Sequence, residues 1–173
     1  SISGLYAWYD FADYSTYTFG VDPLVNVIDN KEGTSAFDLT QGTGSAQPTW
    51  IDGGQNGEDV IRFGSGDMFS SGSISAVSQP LTIYWVAKTP AAQKAGITAF
   101  MEMGGGGDGQ MGIHGSASPN IMYMGFKGSS FVTSAITGIL GSWHLFKLTV
   151  NGASSSLEVD QVSKGTGNLG VGT

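Results

Sequence analysis

Two acidic residues near the end of the chain come closest to a catalytic spacing. Glu158 and Asp160 are separated by one residue, so on a β-strand both carboxylates would face the same side. Glycoside hydrolysis uses such a pair, one carboxylate as nucleophile and one as acid. The third acid of an E-x-D-x-E run is replaced by Val162, and Asp160-Gln161 is typical of a turn. We therefore expect no glycosidase site here.

The two histidines are the only candidates for the base of a Ser-His-Asp triad. His144 stands at the start of an apolar run, and His114 precedes Gly115. The chain has no G-x-S-x-G motif and no Cys, and two histidines without matching carboxylates are too few for a zinc site. We interpret both as ordinary strand-end residues and expect no enzyme activity.

Four aspartates could supply oxygen ligands to a calcium ion. Asp10 and Asp13 are the nearest pair, and Asp59 and Asp67 lie further along the chain. No dense D-x-D-x-D loop exists, and the capping of turns is the alternative interpretation. We expect no cofactor other than calcium, for which Asp10 and Asp13 are the candidate ligands.

The glycine run 104–109 contains Asp108 and lacks the G-K-[ST] that a phosphate-binding loop requires. Glycine in such numbers is typical of a flexible connection between strands. The functional alternative is a rim loop at a ligand site, which makes Asp108 a candidate ligand-binding residue.

Tyr14, Tyr17 and Phe19 form a short aromatic-rich stretch among polar residues. Exposed aromatic rings can stack against the apolar C–H faces of sugars, so Tyr14 and Tyr17 are candidate glycan-binding residues. A cluster packed under a loop is the alternative. Three tryptophans lie in strand-like runs and are expected in the core: Trp8, Trp85 and Trp143.

Chain length and composition indicate the number of domains and the kinds of partner that the protein can bind. The chain has 173 residues, the size of one domain, with 28 Gly and no Cys. Charged residues make up only 12%, the net charge is -7 and Arg62 is the only arginine. Because no basic surface is available for phosphate groups, we expect neither nucleic acid nor a membrane as partner.

Short β-type runs between Gly, Ser, Asn and Asp dominate the chain. Residues 81–88 (LTIYWVAK) are apolar on both faces, which predicts a central strand buried on both sides. Residues 143–150 predict a second inner strand, followed by an Asn151-Gly152 turn and a return strand at 155–160. Core residues are predicted at Ile83, Trp85, Phe146 and Leu148. Weaker strands are predicted at residues 5–9, 24–28, 59–63, 97–103, 110–113, 121–126 and 130–135.

Several blocks, taken in order, match the layout of a known family. Residues 4–10 (GLYAWYD) match its opening strand, and residues 81–88 and 143–152 match its two central strands. Residues 56–57 (NG), followed by residues 60–67 (VIRFGSGD), match its hairpin with an R-F-x-G-x-D end. Smaller matching blocks are residues 38–41 and 47–49. The chain thus resembles laminin-G-like domains of the concanavalin-A-like group, of the kind found in phage and bacterial surface proteins. Residues 27–33 lack the Trp of that family's usual turn.

The resemblance implies an all-β fold, an antiparallel β-sandwich of the concanavalin-A-like jelly-roll type, with one domain over residues 1–173. Such domains usually continue with further strands where this chain stops, so we expect C-terminal strands to be missing. We also expect the sheet edge near residues 168–173 to be covered by another chain or by residues outside the sequence.

The resemblance implies binding or architecture more often than catalysis. We expect a non-catalytic display module of a virion or extracellular surface assembly, such as a phage capsid or tail decoration, with weak carbohydrate binding. A dedicated glycan-binding module is the alternative. The expected partners are other protein chains of a symmetric assembly and surface glycans.

Overall fold

The computed structural model describes residues 3–72, 78–89, 97–102, 109–114, 121–126, 129–132 and 138–170. The chain divides into two compact units, residues 1–75 and 76–173. Regular structure in the described ranges consists of β-strands and short 3-10 helices, and none of these helices could cross a membrane. The expectation of an all-β antiparallel fold is therefore confirmed. One domain over residues 1–173 stays a prediction.

A five-stranded antiparallel sheet forms the first unit. Its strand order is β1-β2-β4-β5, with β3 paired to β2, where the strands are β1 (Tyr17–Val21), β2 (Leu24–Ile28), β3 (Leu39–Thr40), β4 (Thr49–Gln55) and β5 (Glu58–Arg62). Val25 and Ile28 of β2 are fully buried. The connections contain the 3-10 helices Tyr14–Thr16, Ser35–Phe37 and Gly44–Ala46.

The hairpin between β4 and β5 turns at Asn56 and Gly57, whose φ angles are 53° and 88°. Two successive left-handed residues match the right-handed twist of the flanking strands, and Asn-Gly is the pair that adopts this turn most readily. The predicted hairpin is therefore present.

The N-terminal segment differs from the prediction. Residues 5–9 form no strand, and Trp8 is 50% exposed, so the expected opening strand and the expected core position of Trp8 are both wrong. Instead, the backbone of Trp8 makes two hydrogen bonds to the loop after β2, where Trp8 N donates to the side-chain oxygen Oδ1 of Asn30 and Lys31 N donates to Trp8 O. The segment is thus held by a loop, which offers no ladder of strand hydrogen bonds.

Two four-stranded antiparallel sheets form the second unit. The first has the order β13-β12-β11-β6, from β6 (Leu81–Lys88), β11 (Trp143–Val150), β12 (Ser155–Val159) and β13 (Val162–Gly167). The second has the order β10-β9-β8-β7, from β7 (Ile97–Glu102), β8 (Gly109–His114), β9 (Ile121–Phe126) and β10 (Ser129–Val132). The finer assignment to a jelly-roll sandwich stays a prediction.

The core of the second unit lies on one face of the sheet formed by β6, β11, β12 and β13. Phe146 and Leu148 of β11 are buried, and Ile83 and Trp85 of β6 pack against them. The rings of Trp85 and Phe146 stack with centroids 4.9 Å apart and planes 10° from parallel. The four predicted core residues are therefore confirmed. The other buried members of the cluster are Ile139, Val150, Leu157, Val159 and Leu169.

β6 itself differs from the prediction of a central strand buried on both sides. It stands at the end of the strand order and pairs with β11 alone among the described strands. Only its Ile83 and Trp85 face meets the core, and on the opposite face Tyr84 and Val86 are 62% and 60% exposed. The apolar pattern of the sequence is present, but one of its two faces is exposed among the residues that the structure describes.

The C-terminal hairpin follows the predicted turns with one change. Asn151-Gly152 is extended by the 3-10 helix Gly152–Ser154, so the link from β11 to β12 is longer than a two-residue turn. Asp160 and Gln161, with φ of 50° and 66°, make the tight turn into β13. β13 stands at the other end of the strand order from β6. A cover for the edge near residues 168–173 stays a prediction.

Candidate functional site

Four rings of the first unit lie together and are called here the aromatic cluster: Tyr14, Tyr17, Phe19 and Trp50. Tyr14 begins a 3-10 helix that Asp13 caps, with Asp13 Oδ1 accepting from Ser15 N at 3.1 Å. Tyr17 and Phe19 come from β1, and Trp50 comes from β4. The aromatic-rich stretch is thus partly a strand, and three of the four rings are positioned by strands of the sheet.

Tyr14 is the outermost ring of the aromatic cluster and is 53% exposed. Its centroid lies 5.3 Å from those of Phe19 and Trp50, and it meets Trp50 edge-on at 72°. Tyr17 lies 6.3 Å from Tyr14, so the two predicted binding residues are brought together. Phe19 and Trp50 are half-buried, so the exposed ring rests on a rigid aromatic base.

Two polar atoms of the aromatic cluster, the Tyr17 hydroxyl and Trp50 Nε1, donate hydrogen bonds within the protein. Tyr17 donates its hydroxyl to Phe11 O at 2.6 Å, and burial together with the nearby charge of Asp59 raises the Tyr17 pKa. Trp50 Nε1 donates to Asp59 Oδ2 at 3.2 Å. The Tyr17 hydroxyl is therefore engaged within the protein, and Tyr14 presents the accessible ring.

Lys31 occupies the place between the two aspartates proposed for calcium. Its Nζ lies 2.7 Å from Asp13 Oδ2 and 3.2 Å from Asp10 Oδ2, and 5.0 Å from the centroid of the Trp8 ring. The hydrogen bond from Lys31, and then that from Ser15, lowers the Asp13 pKa to about 2. One ammonium group thus bridges both carboxylates and lies over the ring of an exposed tryptophan.

Calcium takes six to eight oxygen ligands, and the residues at this place do not fit that demand. In the ranges that the structure describes, no three His, Cys, Asp or Glu side chains are grouped to hold a metal. Asp59 and Asp67 instead stabilise turns, with Gly53 N donating to Asp59 Oδ1 at 3.0 Å and Gly64 N donating to Asp67 Oδ2 at 2.6 Å.

The acids considered for catalysis are both paired in the second unit. Glu158 Oε1 lies 2.8 Å from Lys147 Nζ, directly across the ladder between β11 and β12. Asp160 Oδ2 lies 2.7 Å from His144 Nδ1, and Asp160 Oδ1 accepts from Leu145 N at 3.0 Å. The bond to His144, followed by that from Leu145, lowers the Asp160 pKa.

The His144–Asp160 pair has the geometry of the orienting half of a catalytic triad. The remaining nitrogen, Nε2, is buried and has no hydrogen-bond partner in the described part of the chain. A base must reach the proton that it removes, and a buried nitrogen cannot reach a substrate in solution. The pair therefore orders the end of the sheet.

Two residues of the candidate sites are not recognisable as such from the sequence. Trp50 and Lys31 were not identified from the sequence. The alternation of Trp50 with Thr49 and Ile51 is a weak strand signal, whereas nothing local connects Lys31 to Asp10. Asp108 lies outside the described residues, and His114 ends β8 as predicted.

Comparisons with known proteins give no match. No protein-family model, no curated protein sequence and no solved structure is significantly similar to the chain. The resemblance to laminin-G-like domains stays a prediction.

Proposed function

We propose that the chain is a non-catalytic display module of a virion or extracellular surface assembly that contacts carbohydrate weakly through the aromatic cluster. The observation that carries the carbohydrate part is the exposed Tyr14 ring, which rests on Phe19 and Trp50 at 5.3 Å. The role in an assembly follows the resemblance of the sequence to surface and phage domains.

The aromatic cluster has the properties that favour sugar stacking. A ring held by two neighbours loses little conformational freedom when a sugar covers it, so less binding energy is lost to ordering. The carboxylates of Asp13 and Asp59 belong to the same structure, one capping the Tyr14 helix and one accepting the Trp50 N–H. Carboxylate oxygens have further lone pairs with which to accept from sugar hydroxyls.

A single shallow surface of this kind supports weak binding. We expect a dissociation constant on the order of 1 mM for one site, which corresponds to about -4 kcal/mol. Several copies on one particle would raise the effective affinity by about 10²–10⁴ without new contacts. Weak single sites therefore suit a protein displayed in many copies.

The proposal includes no catalysis because both candidate acids are paired with basic side chains of the protein. Lys147 holds Glu158 and His144 holds Asp160, and both acids serve the β11–β12 hairpin. A glycosidase needs one raised and one ordinary carboxyl pKa, whereas the pKa of Asp160 is lowered.

The test is a glycan array probed with the protein coupled to beads in many copies. We expect selective binding that Tyr14→Ala abolishes and Tyr6→Ala preserves, because Tyr6 is similarly exposed, at 48%, and lies outside the aromatic cluster. Binding that survives Tyr14→Ala would contradict the carbohydrate site. Silence of the bead-coupled protein on the array would reject carbohydrate binding, and recovery of the chain in stoichiometric particles from its source would still support the display role.

A further inference from the structure

The chain contains two Asn-Gly pairs, and the structure places them in different surroundings. Asn56 and Gly57 form the tip of the hairpin between β4 and β5, where both residues are exposed. Gly152 begins the 3-10 helix after β11 and is buried, with Asn151 at the N-cap. The same dipeptide therefore meets different conditions at the two places.

An Asn-Gly pair can modify itself without an enzyme, and asparagine is among the chemically labile residues. The backbone nitrogen of the glycine attacks Cγ of the asparagine and forms a cyclic imide. The side-chain amide nitrogen takes up the proton that the backbone nitrogen loses, and leaves as ammonia. Water then opens the ring at either carbonyl, which gives aspartate or isoaspartate. The reaction needs an accessible glycine nitrogen and a backbone that can leave its folded conformation.

The surroundings of Gly57 leave its nitrogen accessible. A Cβ built on Gly57 would meet no atom within 4 Å. Among the described residues, no hydrogen bond from Gly57 N is present. The attacking atom is therefore already exposed in the folded protein.

The tip of this hairpin is weakly joined to the rest of the β4–β5 ladder. Gln55 pairs with Glu58 next to the turn, and a register irregularity separates this pair from the Ile51–Val60 pair. Opening the tip breaks few strand bonds, so it costs less free energy than opening the sheet. The turn can thus rotate toward the conformation that ring closure requires.

Hydrogen bonds protect the second pair. Gly152 N donates to Gln79 Oε1 at 2.7 Å. Ser155 Oγ accepts from Asn151 N at 2.9 Å and donates to Gly152 O at 2.8 Å. The nitrogen that would attack is buried and already engaged, so it can react only after this region opens.

We propose that Asn56 is a site of spontaneous modification, where the hairpin tip converts to aspartate and isoaspartate while Asn151 remains intact. This proposal is independent of the carbohydrate site. Conversion adds a negative charge beside Glu58, and isoaspartate also inserts a further backbone carbon into a turn that matches the strand twist. The turn joins the strands of Trp50 and Asp59, whose side chains are hydrogen-bonded, so its modification acts on the hairpin that carries them.

The test is storage of the full chain in a mildly alkaline buffer, followed over time by peptide mapping with mass spectrometry. Chromatography separates the aspartate and isoaspartate peptides from the unmodified peptides that contain Asn56 and Asn151. The same chain kept in urea is the matched control, because unfolding removes the difference in surroundings and leaves only the two sequences.

We expect Asn56 to react at least about tenfold faster than Asn151 in the folded protein, since a buried, hydrogen-bonded amide reacts only after local opening. In urea the two should react at comparable rates. Gln79→Ala should raise the Asn151 rate in the folded protein and leave the Asn56 rate unchanged. Equal rates in the folded protein would overturn the proposal. The same holds if Asn56 stays intact in the folded chain while it reacts in urea.

Discussion

The Nδ1 atom of His144 lies 2.7 Å from Oδ2 of Asp160, which joins the start of β11 to the turn after β12. Sixteen residues separate the two, and the ladder that pairs Phe146 with Val159 brings them together. Asp160 N also donates to Leu145 O at 2.8 Å, so the turn is held by backbone and side-chain bonds at one point.

Replacing His144 with Phe should raise the pKa of Asp160 toward its ordinary value of 3.8, because the largest cause of the lowered pKa is removed. A lowered folded pKa contributes stability that is present above the ordinary pKa and lost as the pH falls through the folded pKa. The variant should therefore lose less stability than the parent on acidification below pH of about 4. Carboxyl NMR titration of the variant and of the parent measures the Asp160 pKa. An unchanged Asp160 pKa would show that the imidazole does not stabilise the carboxylate.

Lys31→Met should raise the pKa of Asp13 from about 2, since the hydrogen bond from Lys31 is the first cause of its lowered value. Stability contributed by this carboxylate is present above its ordinary pKa of 3.8 and lost as the pH falls toward about 2. NMR titration of the variant beside Lys88→Met, which changes a lysine of the other unit, isolates the effect. If both variants leave the Asp13 titration where it was, the Lys31 contact is not maintained in solution.

Phe146→Ala should lower the free energy of unfolding by about 3–5 kcal/mol, because it removes a fully buried ring that stacks on Trp85. Leu145→Ala, one position away on the exposed face, should cost less than about 1 kcal/mol. Urea denaturation followed by tryptophan fluorescence measures both. Equal losses for the two variants would contradict the assignment of the core to the Phe146 face.

Gly57→Ala should destabilise the β4–β5 hairpin by about 1–2 kcal/mol, since φ at this residue is 88° and an L side chain is strained there. Gly42→Ala is the matched control, because an added methyl would meet nothing within 4 Å and no left-handed φ is required. Thermal unfolding of the two variants gives the comparison. A loss in Gly42→Ala equal to that in Gly57→Ala would mean that backbone conformation is not the cause.

Strands whose pattern and turns are both local were predictable. Residues 81–88 and 143–150 became β6 and β11 with the predicted bounds, because β-branched and aromatic residues run unbroken between clear turn signals. Asn56-Gly57 and Asp160-Gln161 became turns for the same reason, since their backbone preferences do not depend on distant partners.

Features set by the register of distant strands were not predictable. Tyr17–Val21 contains a glycine and a polar residue and has no clear strand pattern, yet pairing with β2 makes it a strand. Trp50 contacts Tyr14, which lies 36 positions earlier in the sequence. Trp8 is exposed because its segment is bound to a loop and not to a strand. Both outcomes depend on tertiary packing, which overrides local β-propensity.

A ligand titration followed by NMR tests most directly whether the aromatic cluster contacts carbohydrate. The oligosaccharide that binds best on the array is added to the protein while the indole N–H of Trp50 and the ring protons of Tyr14 are followed. We expect both to shift with a common dissociation constant on the order of 1 mM, and the indole N–H of Trp85 to remain still. Shifts at Trp85 with none at Trp50 and Tyr14, or no shift anywhere at saturating sugar, would contradict the account.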